Sequence, residues 1–441
     1  MRHLAPLSLM LLPALLALAG CRCAPRSTGP HVVLVIGCTL RADQLSPYGG
    51  DARVTPTLQA LADQGVRFER TIAQGSWTRP ATAALITGRS PTEQGMAEPG
   101  AGFNDRALPA DAVTLAERFA AAGYTAVGVT GNPNLSGVFG MDQGLLNQEE
   151  PAGTLWRDTH PKVRGEQVVE AGLALLEEHA AAGPVYLRLM LVDSHTPFRV
   201  RPAAVDALRP TAGEAELPEK VLRYRAALQQ LDGAVAALDA GLSERGFGRE
   251  EVLLVVVGDH GEGLGWPEGR GKGHGTWITP DVAHVPWLMR GPGVPPGHVV
   301  SGLSAGIDVA PTVLALAGVE ASDLGPGLAG AAQGHQDSSA RSLAFIDTWF
   351  RRNRKAAVYS AGGRICEIDF AERAMGAPPW CYDGWGTPNL TGDAPSDADL
   401  AGALRGWHGE QVAGLEAAGA LGAGQRSDAL DERLRALGYI E

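Results

Sequence analysis

The run Leu253-Leu-Val-Val-Val-Gly-Asp-His-Gly261 constrains this chain more than any other stretch. An unbroken apolar, β-branched run of this kind reads as a strand buried on both faces, as in a parallel sheet. It ends abruptly at Asp259 and His260, and Gly258, Gly261, Gly263 and Gly265 leave the backbone around them free to turn. In open α/β sheets ligands bind beyond the carboxyl ends of the strands, where these two side chains would stand. One carboxylate oxygen and one imidazole nitrogen side by side make a natural pair of metal ligands. The alternative is a polar turn after a core strand, so the rest of the chain has to supply the other groups.

It does so by alternation. His31-Val-Val-Leu-Val-Ile-Gly37 reads as the first core strand, with Cys38-Thr-Leu-Arg-Ala-Asp43 at its carboxyl end. Thr55–Gly65 has a cap, helical spacing and a terminal glycine, and Val66–Ile72 resembles a short strand. In Ser76–Gly88 a helix is expected to open just after Pro80, presenting N–H groups and a positive dipole end suited to an anionic ester. Val113–Ala122 is helical, Tyr124–Thr130 is a strand ending at Gly131-Asn-Pro-Asn-Leu135, and Gly165–Ala182 is an amphipathic helix. Val185–Val192 is a strand ending in Asp193-Ser-His-Thr-Pro197, and Pro218–Arg245 is one long helix leading to the central strand. This pattern predicts an α/β fold, a large, mostly parallel sheet flanked by helices on both sides.

After the helix Asp308–Gly318 the texture changes. Short strand-like pieces, Ala356–Ser360 and Arg364–Ile368, predict a small C-terminal antiparallel sheet, and Ala398–Gly438 is helical in composition. The expected division is a main α/β domain over 31–340 and a C-terminal subdomain over 341–441. Cys366 and Cys381 lie close together there; a disulfide is expected in an exported protein, two separate thiols being the alternative.

Arg2 and His3 precede the apolar stretch Leu7–Leu18, too short for a comfortable membrane span and long enough for a signal peptide. Leu18-Ala-Gly-Cys21 is similar to a bacterial lipobox, which makes residues 1–20 a signal peptide and Cys21 a lipidated N-terminus; an ordinary cleaved signal is the alternative. Residues 21–30 then form a flexible tether and place the protein, lipid-anchored, at the cell envelope, in the periplasm or on the cell surface. A net charge of −12, without a basic cluster, argues against nucleic acid as a partner. It leaves room for an anionic ester substrate, because a metal and a few donors reverse the sign inside a pocket. Oligomeric state is not legible in the sequence.

From His31 onward the chain resembles the sulfatases of the alkaline-phosphatase-like superfamily. The resemblance rests on ordered blocks: Thr39–Asp43, Thr55-Pro-Thr-Leu, Trp77-Thr-Arg-Pro-Ala with Leu85-Ile-Thr-Gly-Arg89, and Asn132-Pro-Asn. Further along come Asp193–Pro197, Asp259-His-Gly-Glu, Gly273-His-Gly, Val285-Pro286 with Arg290-Gly-Pro-Gly, Asp308-Val-Ala-Pro-Thr and the closing Leu437-Gly-Tyr-Ile. It implies one divalent metal, calcium or magnesium, held by Asp259 and His260. It also implies a nucleophile at Thr78, with His195 and His274 as substrate or acid–base histidines, and it sets Asn132 where many members carry a lysine. Arg79 and Lys272 are the nearest candidates to supply the missing positive charge.

Three positions depart from that pattern. Thr78 stands where a cysteine or serine would be converted to formylglycine, so it can act only as a plain alkoxide, and Ala81 and Thr82 replace the usual serine and basic residue. Cys38 takes the place of an aspartate that closes the metal site. A hard cation wants oxygen there, whereas a thiolate beside Asp259 and His260 suits zinc; the alternative is that Cys38 is a small buried apolar residue. Met190 stands where relatives carry a histidine and reads as core. The expected activity is metal-dependent hydrolysis of sulfate or phosphate esters, with phosphotransfer or phosphodiester chemistry as a variant. The alternative is an inactive relative that binds an anionic glycan or an envelope partner.

Overall fold

A computed structural model describes residues 28–96, 107–150, 163–210, 215–267, 271–324, 327–335, 341–350, 353–370, 379–383 and 396–417. The lipobox, the tether up to residue 27 and the closing Leu437–Ile440 lie outside the described residues. The strands in chain order are β1 (His31–Gly37), β2 (Val66–Ile72), β3 (Thr125–Thr130), β4 (Asn147–Glu149), β5 (Val185–Leu191) and β6 (Val252–Gly258). They continue with β7 (Gly263–Leu264), β8 (Lys272–Gly273), β9 (His284–Arg290), β10 (His298–Ala305), β11 (Leu343–Thr348), β12 (Lys355–Ser360), β13 (Arg364–Asp369) and β14 (Trp380–Asp383). The helices are α1 (Pro56–Gln64), α2 (Thr78–Thr87), α3 (Leu115–Ala121), α4 (Gly165–Ala180) and α5 (Pro202–Asp206). After these come α6 (Glu219–Glu244), α7 (Pro280–Ala283), α8 (Val309–Leu316), α9 (Ala329–Ala332) and α10 (Asp397–Ala417).

An eight-stranded sheet runs in the order β10-β2-β9-β6-β1-β5-β3-β4. Only β9 runs against its two neighbours, β2 and β6. Pro286 in β9 has no N–H to give the ladder, and it faces the register shift between Phe68 and Thr71 where none is called for. Alternation along β1 distributes its side chains to two cores. Val33 and Val35 pack with residues of α1, α4 and α6, while Val32, Leu34 and Ile36 pack with residues of α2, α3 and α8. Both faces are thereby covered, as the unbroken apolar runs require.

Helix α2 starts at Thr78, three residues earlier than the sequence suggests. Pro80 falls in the first turn, where its missing N–H would have had no intrahelical acceptor, so it need not mark the start. That shift puts Thr78 itself at the helix N-terminus.

The C-terminal sheet is four-stranded and antiparallel, ordered β11-β12-β13-β14, and Cys366 and Cys381 are register partners joined by a disulfide. Helix α10 covers it, burying Leu400 and Leu404 against Val358, Cys366 and Ile368. His408 of α10 is stacked 3.8 Å from the ring of Phe370, and Arg354 lies over the neighbouring Trp349 ring. Burial, and then the charge of Arg354, holds His408 down at about 4. In the unfolded chain a histidine titrates near about 6.5, so between those values the unfolded state takes up the proton first. Stability is therefore fully present above the unfolded value and is lost as pH falls toward the folded one. The urea midpoint is expected to fall between about pH 7 and about pH 4.5, and to fall less in His408→Gln.

Candidate active site

Four parallel strands deliver the site. Gly37 of β1 and Gly258 of β6 are register partners, so the next residues, Cys38 and Asp259, leave the sheet side by side. The Asp259 N–H donates to Gly37 O at 3.2 Å and the Cys38 N–H to Leu191 O at 2.9 Å. Asn132 and His195 follow β3 and β5. Glycine is needed at 261, where a Cβ would stand 2.2 Å from the carbonyl oxygen of Asp281.

Thr39 adopts φ 56°, a left-handed conformation that disfavours a β-branched residue. Its neighbours hold it there. The Thr39 N–H donates to Asp259 Oδ1 at 3.0 Å, the Tyr224 hydroxyl to Thr39 O at 2.7 Å, and the Ser194 hydroxyl to Cys38 O at 2.6 Å. The strain turns the chain sharply after Cys38 at the strand end, as strained residues at functional sites do.

Asp259 is buried. Its Oδ1 accepts from the N–H groups of Thr39 and His260, while Oδ2 accepts no hydrogen bond and lies 3.4 Å from His260 Nε2. Burial pushes its carboxyl up to about 7, against the pull of those two N–H groups. Burial also holds His260 well below the ordinary histidine range, so its ring is neutral. His260 Nδ1 faces Gly261 O at 2.9 Å, and a carbonyl can only accept, so the ring proton sits on Nδ1. The Nε2 lone pair is left facing the Thr78 hydroxyl at 3.3 Å.

Thr78 is the first residue of α2, whose N-cap, Trp77, makes no side-chain cap. Its Oγ1 is 3.6 Å from Cys38 Sγ and 3.5 Å from Asn132 Nδ2. The Asn132 amide is oriented by its surroundings: Oδ1 accepts from the backbone N–H of Asn134 at 3.0 Å, which turns Nδ2 toward Cys38 Sγ at 3.4 Å. Cys38, Thr78, Asn132, Asp259 and His260 thus form one contact cluster. Among the described residues, ligand atoms of Cys38, Asp259 and His260 all lie within 4.8 Å of one another.

The other two histidines extend this cluster outward. The ring centroid of His274 is 4.7 Å from that of His260, and that of His195 is 5.0 Å from His274. His274 Nδ1 is 2.8 Å from Oε2 of the buried Glu262, which fixes that nitrogen as the donor and frees Nε2 for a ligand. His195 Nδ1 contacts the carbonyl of Thr196. Lys220 of α6 stands 3.9 Å from the other Glu262 oxygen.

The two expected cations occupy different places. Arg79 is buried, with its guanidinium 3.5 Å over the Phe139 ring and a hydrogen bond of 2.9 Å to Asn134 Oδ1, so it braces the loop that carries Asn132. Lys272 is exposed on β8 and lies along Gly265. Met190 is fully buried in the core.

Sequence reasoning missed Glu262 and Lys220. Glu262 was within reach, in the Asp259-His-Gly-Glu block, but its pairing with His274 spans twelve residues and two β-turn strands. Lys220 carried no local signal, because one lysine on a long surface helix reads as solvent-facing. Glu262→Gln is expected to lower kcat by about 10²-fold by loosening the His274 ring, measured as steady-state rates on folded protein.

The family model described as Sulfatase matches residues 30–319. The chain is 39% identical over 121 residues to the low-salt glycan biosynthesis sulfotransferase Agl7 of Haloferax volcanii, covering 26% of this chain and 29% of that protein. It is 26% identical over 360 residues to arylsulfatase G of Mus musculus, covering 66% of each, so the match spans less than two thirds of either relative. The phosphonate monoester hydrolase of Agrobacterium radiobacter superposes with a TM-score of 0.66 at 20% identity, over 87% of this chain and 95% of that one. The match over most of the chain and the shared fold place it without ambiguity: the chain belongs to the sulfatase family of the alkaline-phosphatase-like superfamily.

Proposed function

We propose that the protein cleaves sulfate or phosphate esters at a bacterial cell envelope, anchored through Cys21, with Thr78 as the nucleophile. The observation that carries this reading is the Thr78 hydroxyl, set at the N-terminus of α2 and 3.3 Å from the lone pair of His260 Nε2. Helix N–H groups there favour the anionic ester, and Asn132 Nδ2 supplies a further donor.

Sulfatases are metal-dependent. The buried Oδ2 of Asp259 and the bare Nε2 of His260 are the atoms to hold a divalent metal, which when bound polarises the ester and acidifies the nucleophile. The Thr78 hydroxyl gives up its proton to solvent as its oxygen attacks sulfur or phosphorus, and the bond from that centre to the leaving oxygen breaks. His274, oriented by Glu262, gives the leaving oxygen its proton. Water then attacks the same centre and gives a proton to His274, the bond to the Thr78 oxygen breaks and that oxygen takes up a proton from solvent, while His195 lies beside His274 to contact the ester oxygens.

Because Thr78 cannot form the aldehyde, its ester must be cleaved by direct attack at the central atom, which favours phosphorus. Aryl sulfates, phosphate monoesters, diesters and phosphonates, each assayed against Thr78→Ala, test this reading. Turnover of one class above that control is the expected result. Rates equal to the control on all of them would overturn it and leave the binding of an anionic glycan or envelope partner as the role.

A further inference from the structure

We infer that the metal site is a zinc site in which Cys38 is a thiolate ligand and Asn132 is the group that holds the thiolate in place. The inference rests on Asp259 and His260 being metal ligands, and it is independent of which ester the protein cleaves.

The donor set decides against a hard cation. Calcium takes six to eight oxygens and magnesium a near-octahedral oxygen shell. The donor trio found among the described residues holds one carboxylate, one imidazole and one sulfur. Zinc takes such a mixed set, with bonds of about 2.0–2.2 Å to nitrogen and oxygen and about 2.3 Å to sulfur. Bonds of those lengths in a tetrahedron separate the ligand atoms by about 3.3–3.6 Å. His260 Nε2 and Asp259 Oδ2 are 3.4 Å apart, Thr78 Oγ1 and His260 Nε2 3.3 Å, and Cys38 Sγ and Thr78 Oγ1 3.6 Å. The Asp259–His260 pair is therefore already at ligand spacing, a ligand atom of Cys38 lies within 4.8 Å of both, and Thr78 Oγ1 stands beside the sulfur and the imidazole nitrogen.

Two further observations aim the group at a cation. Asp259 Oδ2 is buried without a hydrogen bond, a costly arrangement unless something positive meets it. Asn132 Nδ2 donates toward Cys38 Sγ at 3.4 Å and its orientation is locked by Asn134, so the sulfur already has a donor that favours its ionised form. Zinc binding replaces the thiol proton, which leaves to solvent, so uptake is expected to release a proton and to strengthen with rising pH.

The test uses the full-length protein stripped with chelator and reloaded with zinc chloride or cobalt chloride. The expected result is one zinc per chain, retained in the presence of excess calcium and magnesium, and a sulfur-to-cobalt charge-transfer band in the cobalt form. Cys38→Ser is expected to lose that band and most of the zinc. Asn132→Ala is expected to keep the band and bind zinc about 10–100-fold more weakly. The cobalt spectrum of the unsubstituted protein gives a readout even if a variant does not fold. Metal bound equally by the unsubstituted protein and Cys38→Ser, with no charge-transfer band but lost in Asp259→Asn, would overturn the role of Cys38 while leaving the metal ligands standing. No metal in any form would overturn both.

Discussion

Thr78→Ala is expected to lower kcat/KM on the order of 10³-fold or more, with the protein folded as before. A factor of 10³ is about 4 kcal/mol of transition-state stabilisation, within what removal of a nucleophile costs in other covalent mechanisms. The hydroxyl meets three of the other four members of the cluster: Cys38 Sγ, Asn132 Nδ2 and His260 Nε2. Its loss leaves the helix N-terminus and the histidines able to bind the ester without breaking it. KM is therefore expected to change far less than kcat, and mass spectrometry of rapidly quenched protein should find the sulfuryl or phosphoryl adduct on Thr78 in the original chain alone. Thr78→Ser keeps the oxygen and is expected to retain most of the rate. A Thr78→Ala rate near that of the unsubstituted protein would remove Thr78 from the mechanism.

Asp259→Asn is expected to separate activity from stability. The amide oxygen can keep the hydrogen bonds now made by the N–H groups of Thr39 and His260, and the amide nitrogen takes the position of Oδ2 beside the His260 Nε2 lone pair. A buried charge disappears, and one amide N–H faces the His260 Nε2 lone pair. In chelator the variant is expected to be as stable as the original or more so, by about 1–3 kcal/mol, seen as an unchanged or higher urea midpoint. Activity with metal restored is expected to fall at least about 10²-fold, because the only carboxylate of the donor set is gone. A variant that loses stability and activity together would make Asp259 a structural residue.

The fold was legible because the physics behind it is local. The apolar runs at His31–Gly37, Val185–Leu191 and Val252–Gly258 could only be strands covered on both faces, and they are neighbours at the centre of the sheet. Strand β9 was not legible as antiparallel, since a buried strand shows the same apolar run in either direction, and the proline in it argues against a strand at all. At the site, Asp259 and His260 stood out by their place at the end of an unbroken apolar run. Residues that act through another residue left no such mark. Glu262 matters because it meets His274, Asn132 because Asn134 fixes its amide, and Thr39 because its backbone is held left-handed by groups from three other parts of the chain. Such pairings exist only once the chain has closed on itself.

The disulfide between Cys366 and Cys381 carries a consequence for how the protein can be made. It joins β13 to the four-residue edge strand β14, which carries the exposed Trp380. Where thiols stay reduced, β14 is free to peel away and leave the hydrogen-bonding edge of β13 open, and an open edge is a template for pairing with another chain. Synthesis in a reducing compartment is thus set to yield aggregates joined through that edge, while oxidative folding yields monodisperse protein.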